Sequence, residues 1–381
     1  MPKPTRSIIP ELLTLIVSVC LVFAGLEIYL RQSAVGKAKP YEGVETIPEI
    51  ADTYFELVFL EKYAATKIWF TADFDPKLGW DYQIGSNRVR GGKKAGPRSE
   101  GTMRIVTLGD SFTWGIEVGD NESYPFYLEK TLSGAQHQPT EVLNMGVGSY
   151  GLDQALLKYF QHGQPLRPDL VVLGIFPHDY DRTRLSFYSY SKPLFRYDDA
   201  SGQYILSNVP VPPPKEMYET LARKYDQANS YALIYLKNRL LKLYYSVLSP
   251  SDPNKYYSTT DRLVEYLLTR LRGELDKTRA GLFIVHIPRG ECFESDKLLA
   301  TGRNETQTVH LKALYEKLKI PCVDLLEELP KRFPLRTIYE EFYFHRADGS
   351  LGHFTPRGNA EVAKIIAEGL KAKGLLKRAG G

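Results

Sequence analysis

The sequence predicts a three-layer α/β/α sandwich on a five-stranded parallel sheet, preceded by one N-terminal transmembrane helix. Two observations carry the fold. Five short apolar runs alternate with longer segments of helical periodicity, the pattern of βαβ units whose sheet is covered on both faces. An almost uncharged stretch, residues 8–30, stands ahead of them. The first run, Met103–Leu108, ends at Gly109 and reads as a buried strand. Tyr124–Leu132 is amphipathic, with Asn121 or Ser123 as its N-cap. Glu141–Asn144 is the second strand, and a helix runs from Leu152 to His162. The β-branched Asp169–Ile175 is the third strand. Leu282–Ile287 is the fourth, Thr306–Leu318 is helical, Cys322–Leu326 is the fifth strand, and Arg357–Lys373 is the closing helix.

Two stretches stand outside this alternation. Between the anchor and the first strand, Thr53–Thr71 has helical spacing, and Asp75–Pro97, rich in Gly, Lys and Arg, reads as loop. Residues 180–277 interrupt the strand–helix order and hold about half of the 26 tyrosines. They include a hairpin (Leu194–Tyr197 with Tyr204–Leu206), a proline-stiffened Val209–Pro214, and helical stretches near Lys215–Tyr225, Ser230–Val247 and Thr260–Lys277.

With 43% hydrophobic and 25% charged residues the chain is globular rather than disordered. A net charge of +4 over 381 residues, without a basic tract, gives no basis for nucleic acid binding. Three cysteines, Cys20, Cys292 and Cys322, supply neither a disulfide framework nor a four-ligand zinc site.

Residues 8–30 contain only Glu11 and Glu27 as charges, both near the ends. As a helix they reach about 34 Å, enough to cross a hydrocarbon core of about 30 Å. A cleaved signal peptide is the rival reading, but Phe23–Ile28 continues the helix and lacks a small-x-small cleavage site. Lys3 and Arg6 before the span nearly balance Arg31, Lys37 and Lys39 after it. The short N-terminus is placed in the cytoplasm and the rest of the chain outside it, periplasmic or on the outer face. Such a compartment permits a Cys292–Cys322 disulfide, and two unpaired thiols are the alternative.

Ligands of open parallel sheets bind beyond the carboxyl ends of the strands. There the sequence places Gly109-Asp110-Ser111, then Asn144-Met145-Gly146-Val147-Gly148-Ser149, then Phe176-Pro177-His178-Asp179. Before the last helix comes Asp348 through His353-Phe354-Thr355-Pro356-Arg357-Gly358-Asn359. A serine, backbone-exposing glycines, a side-chain donor and a histidine on one sheet edge are what a serine nucleophile, its base and an oxyanion hole require.

From about Arg104 to Lys373, the insertion excepted, the chain resembles the SGNH (GDSL) hydrolases. Gly109-Asp110-Ser111 resembles the first block of that family, 144–151 the second, and the His353 segment the last. The resemblance implies a flavodoxin-like sheet, with Ser111 as nucleophile and His353 as general base. It implies an oxyanion hole from Ser111, Gly148 or Ser149, and His178. It implies no metal or organic cofactor. Three positions depart from the family: Ser149 falls where the second-block glycine stands, and His178 where the third-block asparagine stands. Asp348, the expected acid, lies five residues before the histidine instead of two or three. Asp348 reaches across a bent loop, or a backbone carbonyl orients His353 instead. A neutral imidazole at 178 donates one N–H, and an ordinary pKa near 6.5 would make turnover pH-sensitive there.

Plainer roles compete: Ser111 as an N-cap, Asp110 as a local backbone acceptor, His178 as a surface-loop residue, and the tyrosines as packing. The resulting map has a tail (1–7), an anchor (8–30), a linker and extension (31–101), and a hydrolase-like domain (102–376). The activity expected is that of an extracytoplasmic serine esterase or O-acyltransferase. Its expected substrate is an acylated glycan, such as a surface or exported polysaccharide, or a small ester; polysaccharide-assembly proteins are possible partners. The alternative is an inactive glycan-binding or scaffolding subunit of a surface-polymer assembly.

Overall fold

The computed structural model describes residues 9–33, 48–67, 72–82, 89–93, 96–135, 139–227, 230–244, 253–303 and 305–376. The expected tail, 1–7, and linker residues 34–47 lie outside them. The chain forms two compact units, Met1–Trp69 with Pro213–Pro253, and Phe70–Pro212 with Asn254–Gly381.

Along the chain run α1 (Ile9–Ser33), α2 (Pro48–Thr66), β1 (Asp73–Asp75), β2 (Gly79–Asp81), β3 (Met103–Leu108), the single-turn α3 (Ser111–Trp114), α4 (Tyr124–Ala135), β4 (Thr140–Asn144), α5 (Leu152–Lys158), β5 (Leu170–Ile175) and α6 (Pro177–Arg182). The hairpin β6 (Leu194–Asp198) and β7 (Gln203–Ser207) follows, then α7 (Pro214–Gln227), α8 (Tyr231–Leu243) and α9 (Pro253–Lys277). The remainder is β8 (Gly281–His286), α10 (Asp296–Arg303), α11 (Thr306–Lys317), β9 (Cys322–Asp324), α12 (Leu325–Glu328), α13 (Leu335–Phe342), β10 (Tyr343–His345), β11 (Leu351–Phe354) and α14 (Pro356–Ala372).

In the larger unit the five predicted strands form one parallel sheet in the order β4-β3-β5-β8-β9. Every residue of β3 and β5 is buried, which is why these strands read as unbroken apolar runs. On one face Ile105, Val172 and Phe283 pack against Leu128 of α4 and Val362 and Ile366 of α14. The alternate residues Val106, Leu108, Val171, Leu173 and Ile284 are buried on the other face. Because β4 and β5 lie on opposite sides of β3, the strand order reverses at β3, and the crevice beyond its carboxyl end is the expected ligand position. Ser111 stands there.

The stretch expected to be loop, 75–97, holds ordered structure at its start. β1 and β2 pair antiparallel, and the Asp75 carboxylate closes their turn by accepting from the N–H groups of Lys77 (2.8 Å) and Leu78 (3.0 Å). Trp80 is wholly buried, and its indole N–H donates to the Gly148 carbonyl (3.0 Å). Tyr150 donates back to the Trp80 carbonyl (2.5 Å), and Gln154 to that of Leu78 (2.7 Å). The fifth strand is shorter than expected, since Asp324 caps α12 by accepting from the Leu326 N–H. Cys292 and Cys322 are both free thiols, so the disulfide that the compartment would permit is absent.

Asp81 and Lys158 form an ion pair at 2.6 Å with both side chains fully buried, tying the β1–β2 hairpin to α5. Removing one partner leaves a buried charge without its counter-ion. Asp81→Ala is therefore expected to cost about 3–5 kcal/mol in urea unfolding, whereas the double change Asp81→Leu/Lys158→Met is expected to cost far less.

Candidate active site

The site is built on the turn after β3. Gly109 has φ 144°, and a Cβ there would lie 2.3 Å from Thr113 Oγ1 and 2.6 Å from the Gly174 carbonyl oxygen. Only glycine lets the chain leave the strand so abruptly. Asp110, not Ser111, is the N-cap of α3: its Oδ1 accepts from the Phe112 N–H (2.9 Å). Ser111 is thus the first helical residue, its N–H preceding any intrahelical bond and its hydroxyl available to other partners.

The second block braces this turn. Asn144 Nδ2 donates to the carbonyls of Thr113 (2.9 Å) and Trp114 (3.2 Å), and its Oδ1 accepts from the Gly146 N–H (3.0 Å). A Cβ on Gly146 would stand 2.4 Å from the Trp114 nitrogen, so the Asn-x-Gly spacing is a packing requirement. Ser149 has φ 67°, the left-handed conformation that favours glycine, at the position where the resemblance led us to expect one.

His353 lies on β11, which pairs with β10. Its Nε2 is 2.8 Å from Ser111 Oγ. Its Nδ1 is 2.7 Å from Glu117 Oε2, which also accepts from the His353 backbone N–H (2.8 Å). The acid beside the histidine is therefore Glu117, and the expectation of Asp348 is corrected. The segment read as a bent loop is a hairpin whose turn carries Asp348. The extended steps from Ser350 to His353 span about 10 Å, and the Asp348 carboxylate is taken up by the N–H (3.0 Å) and hydroxyl (2.7 Å) of Ser350. Among the described residues, no cluster of three or more His, Cys, Asp or Glu is placed to hold a metal ion.

Glu117 is itself in the left-handed region, at φ 74°. Such backbone costs about 1–3 kcal/mol and persists only where its surroundings fix it. Arg90 supplies that constraint: its guanidinium donates to the carbonyls of Trp114, Gly115 and Val118, and its Nε pairs with Asp120 at 2.9 Å. Arg346 holds the other oxygen of Glu117 at 3.0 Å. Burial alone would push the Glu117 carboxyl up. The His353 backbone N–H and ring, with Arg346, outweigh it and hold the group below the ordinary glutamate range, so it stays ionised beside the imidazole.

Beneath Ser111 lies a buried cluster. Ser111 Oγ is 3.3 Å from Asp110 Oδ2, and Arg182 reaches Asp110 (3.4 Å) and Asp179 (2.9 Å). Burial first, then the Asp110 charge, push the Asp179 carboxyl well above its usual range against the pull of Arg182.

His178 stands in the first turn of α6, in ring contact with Phe176 (5.2 Å), which in turn meets Phe112 (5.0 Å). Burial, then the charges of Arg182 and Arg289, push its imidazole down to about 3. It is neutral at any working pH, so the pH sensitivity expected near 6.5 does not arise from this residue. In the unfolded chain it regains a pKa near 6.5 and binds a proton that the folded state refuses. Its contribution to stability is complete above about pH 6.5 and declines as the pH falls toward 3. His178→Gln is expected to make the loss of stability between pH 6.5 and 4 shallower than in the parent, as read by thermal melts across that range.

No protein-family model matches the chain, and no curated protein matches it. Among solved structures it is similar to TesA, with 12% identity over 72% of this chain and all of that one, at a TM-score of 0.40. It is similar to the lipase/acylhydrolase from Enterococcus faecalis, with 14% identity, 71% and 96% of the two chains covered, and a TM-score of 0.39. It is also similar to a variant of Axe2, an acetyl xylan esterase from Geobacillus stearothermophilus, with 15% identity, 72% and 95% covered, and a TM-score of 0.37.

Proposed function

We propose that this protein is an SGNH-type serine esterase or O-acyltransferase, anchored by α1, whose larger unit acts outside the cytoplasm on ester-linked acyl groups. The observation that carries this reading is the relay Ser111–His353–Glu117, with contacts of 2.8 and 2.7 Å at the strand-order switch point. A scaffolding role would not call for a strained glutamate held against a histidine that faces a serine.

His353 Nε2 takes the proton as Ser111 Oγ bonds to the ester carbonyl carbon, and ionised Glu117 stabilises the imidazolium. N–H groups of Ser111 and of Gly148 or Ser149, with neutral His178 donating, receive the oxyanion. Collapse breaks the ester C–O bond; the leaving alcohol takes the proton from His353, and the acyl group remains on Ser111. Attack by water gives hydrolysis, and attack by a sugar hydroxyl gives acyl transfer. A surface or exported polysaccharide is the preferred substrate, since a tethered domain suits an extended polymer. The exposed Tyr197 on the β6–β7 hairpin, in contact with Tyr204 (5.3 Å), offers an aromatic face of the kind that sugars stack on.

Two measurements test the reading. A fluorophosphonate probe is expected to label the intact protein, and Ser111→Ala is expected to abolish labelling; an unlabelled parent would refute it. With a small ester substrate, Glu117→Gln is expected to lower kcat by about 10²–10⁴. Asp348→Asn is expected to stay within a factor of about three of the parent, because its carboxylate serves only the local turn.

A further inference from the structure

The smaller unit carries a second apolar surface, on α8. Leu233, Leu236, Leu240, Leu243 and Tyr244 recur at helical spacing within an arc of about 100°. They are exposed rather than packed, Leu240 at 65%, Leu233 at 55% and Leu243 at 52%. At 100° per residue, Arg239 and Lys237 flank the two edges of this stripe, and both are exposed. The helix carries Lys237, Arg239 and Lys242 but no acidic residue.

What covers the stripe is indicated by where α8 is attached. It packs against α1, whose apolar span Leu12–Leu30 has no fully buried residue and is mostly exposed. Glu27, near the end of that span, caps α8: its carboxylate accepts from Ser230 Oγ (2.7 Å) and from the N–H groups of Tyr231 (3.1 Å) and Ala232 (2.8 Å). A carboxylate at the edge of the hydrocarbon is costly unless such donors surround it. The same contacts fix the start of α8 at the depth where the span meets the headgroups.

We infer that α8 is an in-plane membrane helix, its leucine stripe sunk into the acyl boundary beside α1 and its flanking basic side chains reaching anionic lipid headgroups. This rests on the reading of α1 as a retained span. Apolar area and positive charge then act together, as in interfacial helices generally, with Arg239 resting on the Tyr235 ring (5.1 Å) beside the stripe and both basic side chains keeping their charges in the headgroup layer. The basic residues argue against a second crossing, since burial of such charges at the bilayer centre is strongly disfavoured.

The test uses the full chain with Cys292 and Cys322 replaced by alanine, reconstituted in bilayers that contain anionic lipid, with or without brominated acyl chains. One environment-sensitive fluorophore is placed on native Cys20 in α1. In a second protein, with Cys20→Ala, it is placed at Leu240→Cys; Leu236→Cys provides an independent position on the stripe. Quenching of at least two-fold by brominated lipid at Cys20 and at either stripe position is the expected result. Quenching at Cys20 with none at either stripe position overturns the inference and leaves the anchor standing. No quenching at any position overturns both.

Discussion

The contact on which the candidate site depends is the hydrogen bond between His353 Nδ1 and the Glu117 carboxylate, which joins positions 236 residues apart in the chain. It fixes the imidazole so that Nε2 faces Ser111, and it requires both partners to be held rigidly. The β10–β11 pairing does this for His353, and buried Asn359 secures the next element by donating to the Phe354 (3.0 Å) and Thr355 (3.1 Å) carbonyls while accepting from the Tyr124 N–H (3.0 Å). Arg90 does it for Glu117 by gathering the carbonyls of Trp114, Gly115 and Val118, which flank it in the chain. The strain in the Glu117 backbone is thereby offset by charge-assisted hydrogen bonds, which are stronger than neutral ones.

The segment ahead of β3 has a comparable task at the loop proposed to receive the oxyanion. Trp80, Tyr150 and Gln154 join the β1–β2 hairpin to the loop that contains Gly148 and Ser149. Two fully buried ion pairs converge on α5: Asp81 with Lys158 fastens the β1–β2 hairpin to it, and Asp153 with Lys192 fastens the chain between α6 and β6. Burial alone pushes the Asp153 carboxyl up despite its lysine, a sign that such pairs specify an arrangement more than they stabilise it. The cluster of Asp110, Asp179 and Arg182 follows the same logic: one cation serves two carboxylates, and burial together with the Asp110 charge favours a proton on Asp179.

The five sheet strands, the helices that cover them, the second hairpin and the apolar N-terminal helix were legible in the sequence, because each follows from periodicity or from a continuous apolar run within a few residues of chain. Gly109-Asp110-Ser111, Asn144-x-Gly146 and the His353 segment were legible for a related reason. Their glycines and short polar residues satisfy local backbone geometry, as the close approaches at Gly109 and Gly146 show. By itself the sequence therefore determined the fold class and pointed to Ser111 and His353, which the fold brings within 2.8 Å of each other. Only the tertiary structure decided which carboxylate meets His353, the neutrality of His178 and the bracing by Arg90. Each of these depends on groups distant in the chain being brought together by the fold, and no local pattern records which carboxylate ends nearest a ring nitrogen. Asp348, close to His353 in sequence, is separated from it by an extended strand, whereas Glu117 is brought to it by the sheet.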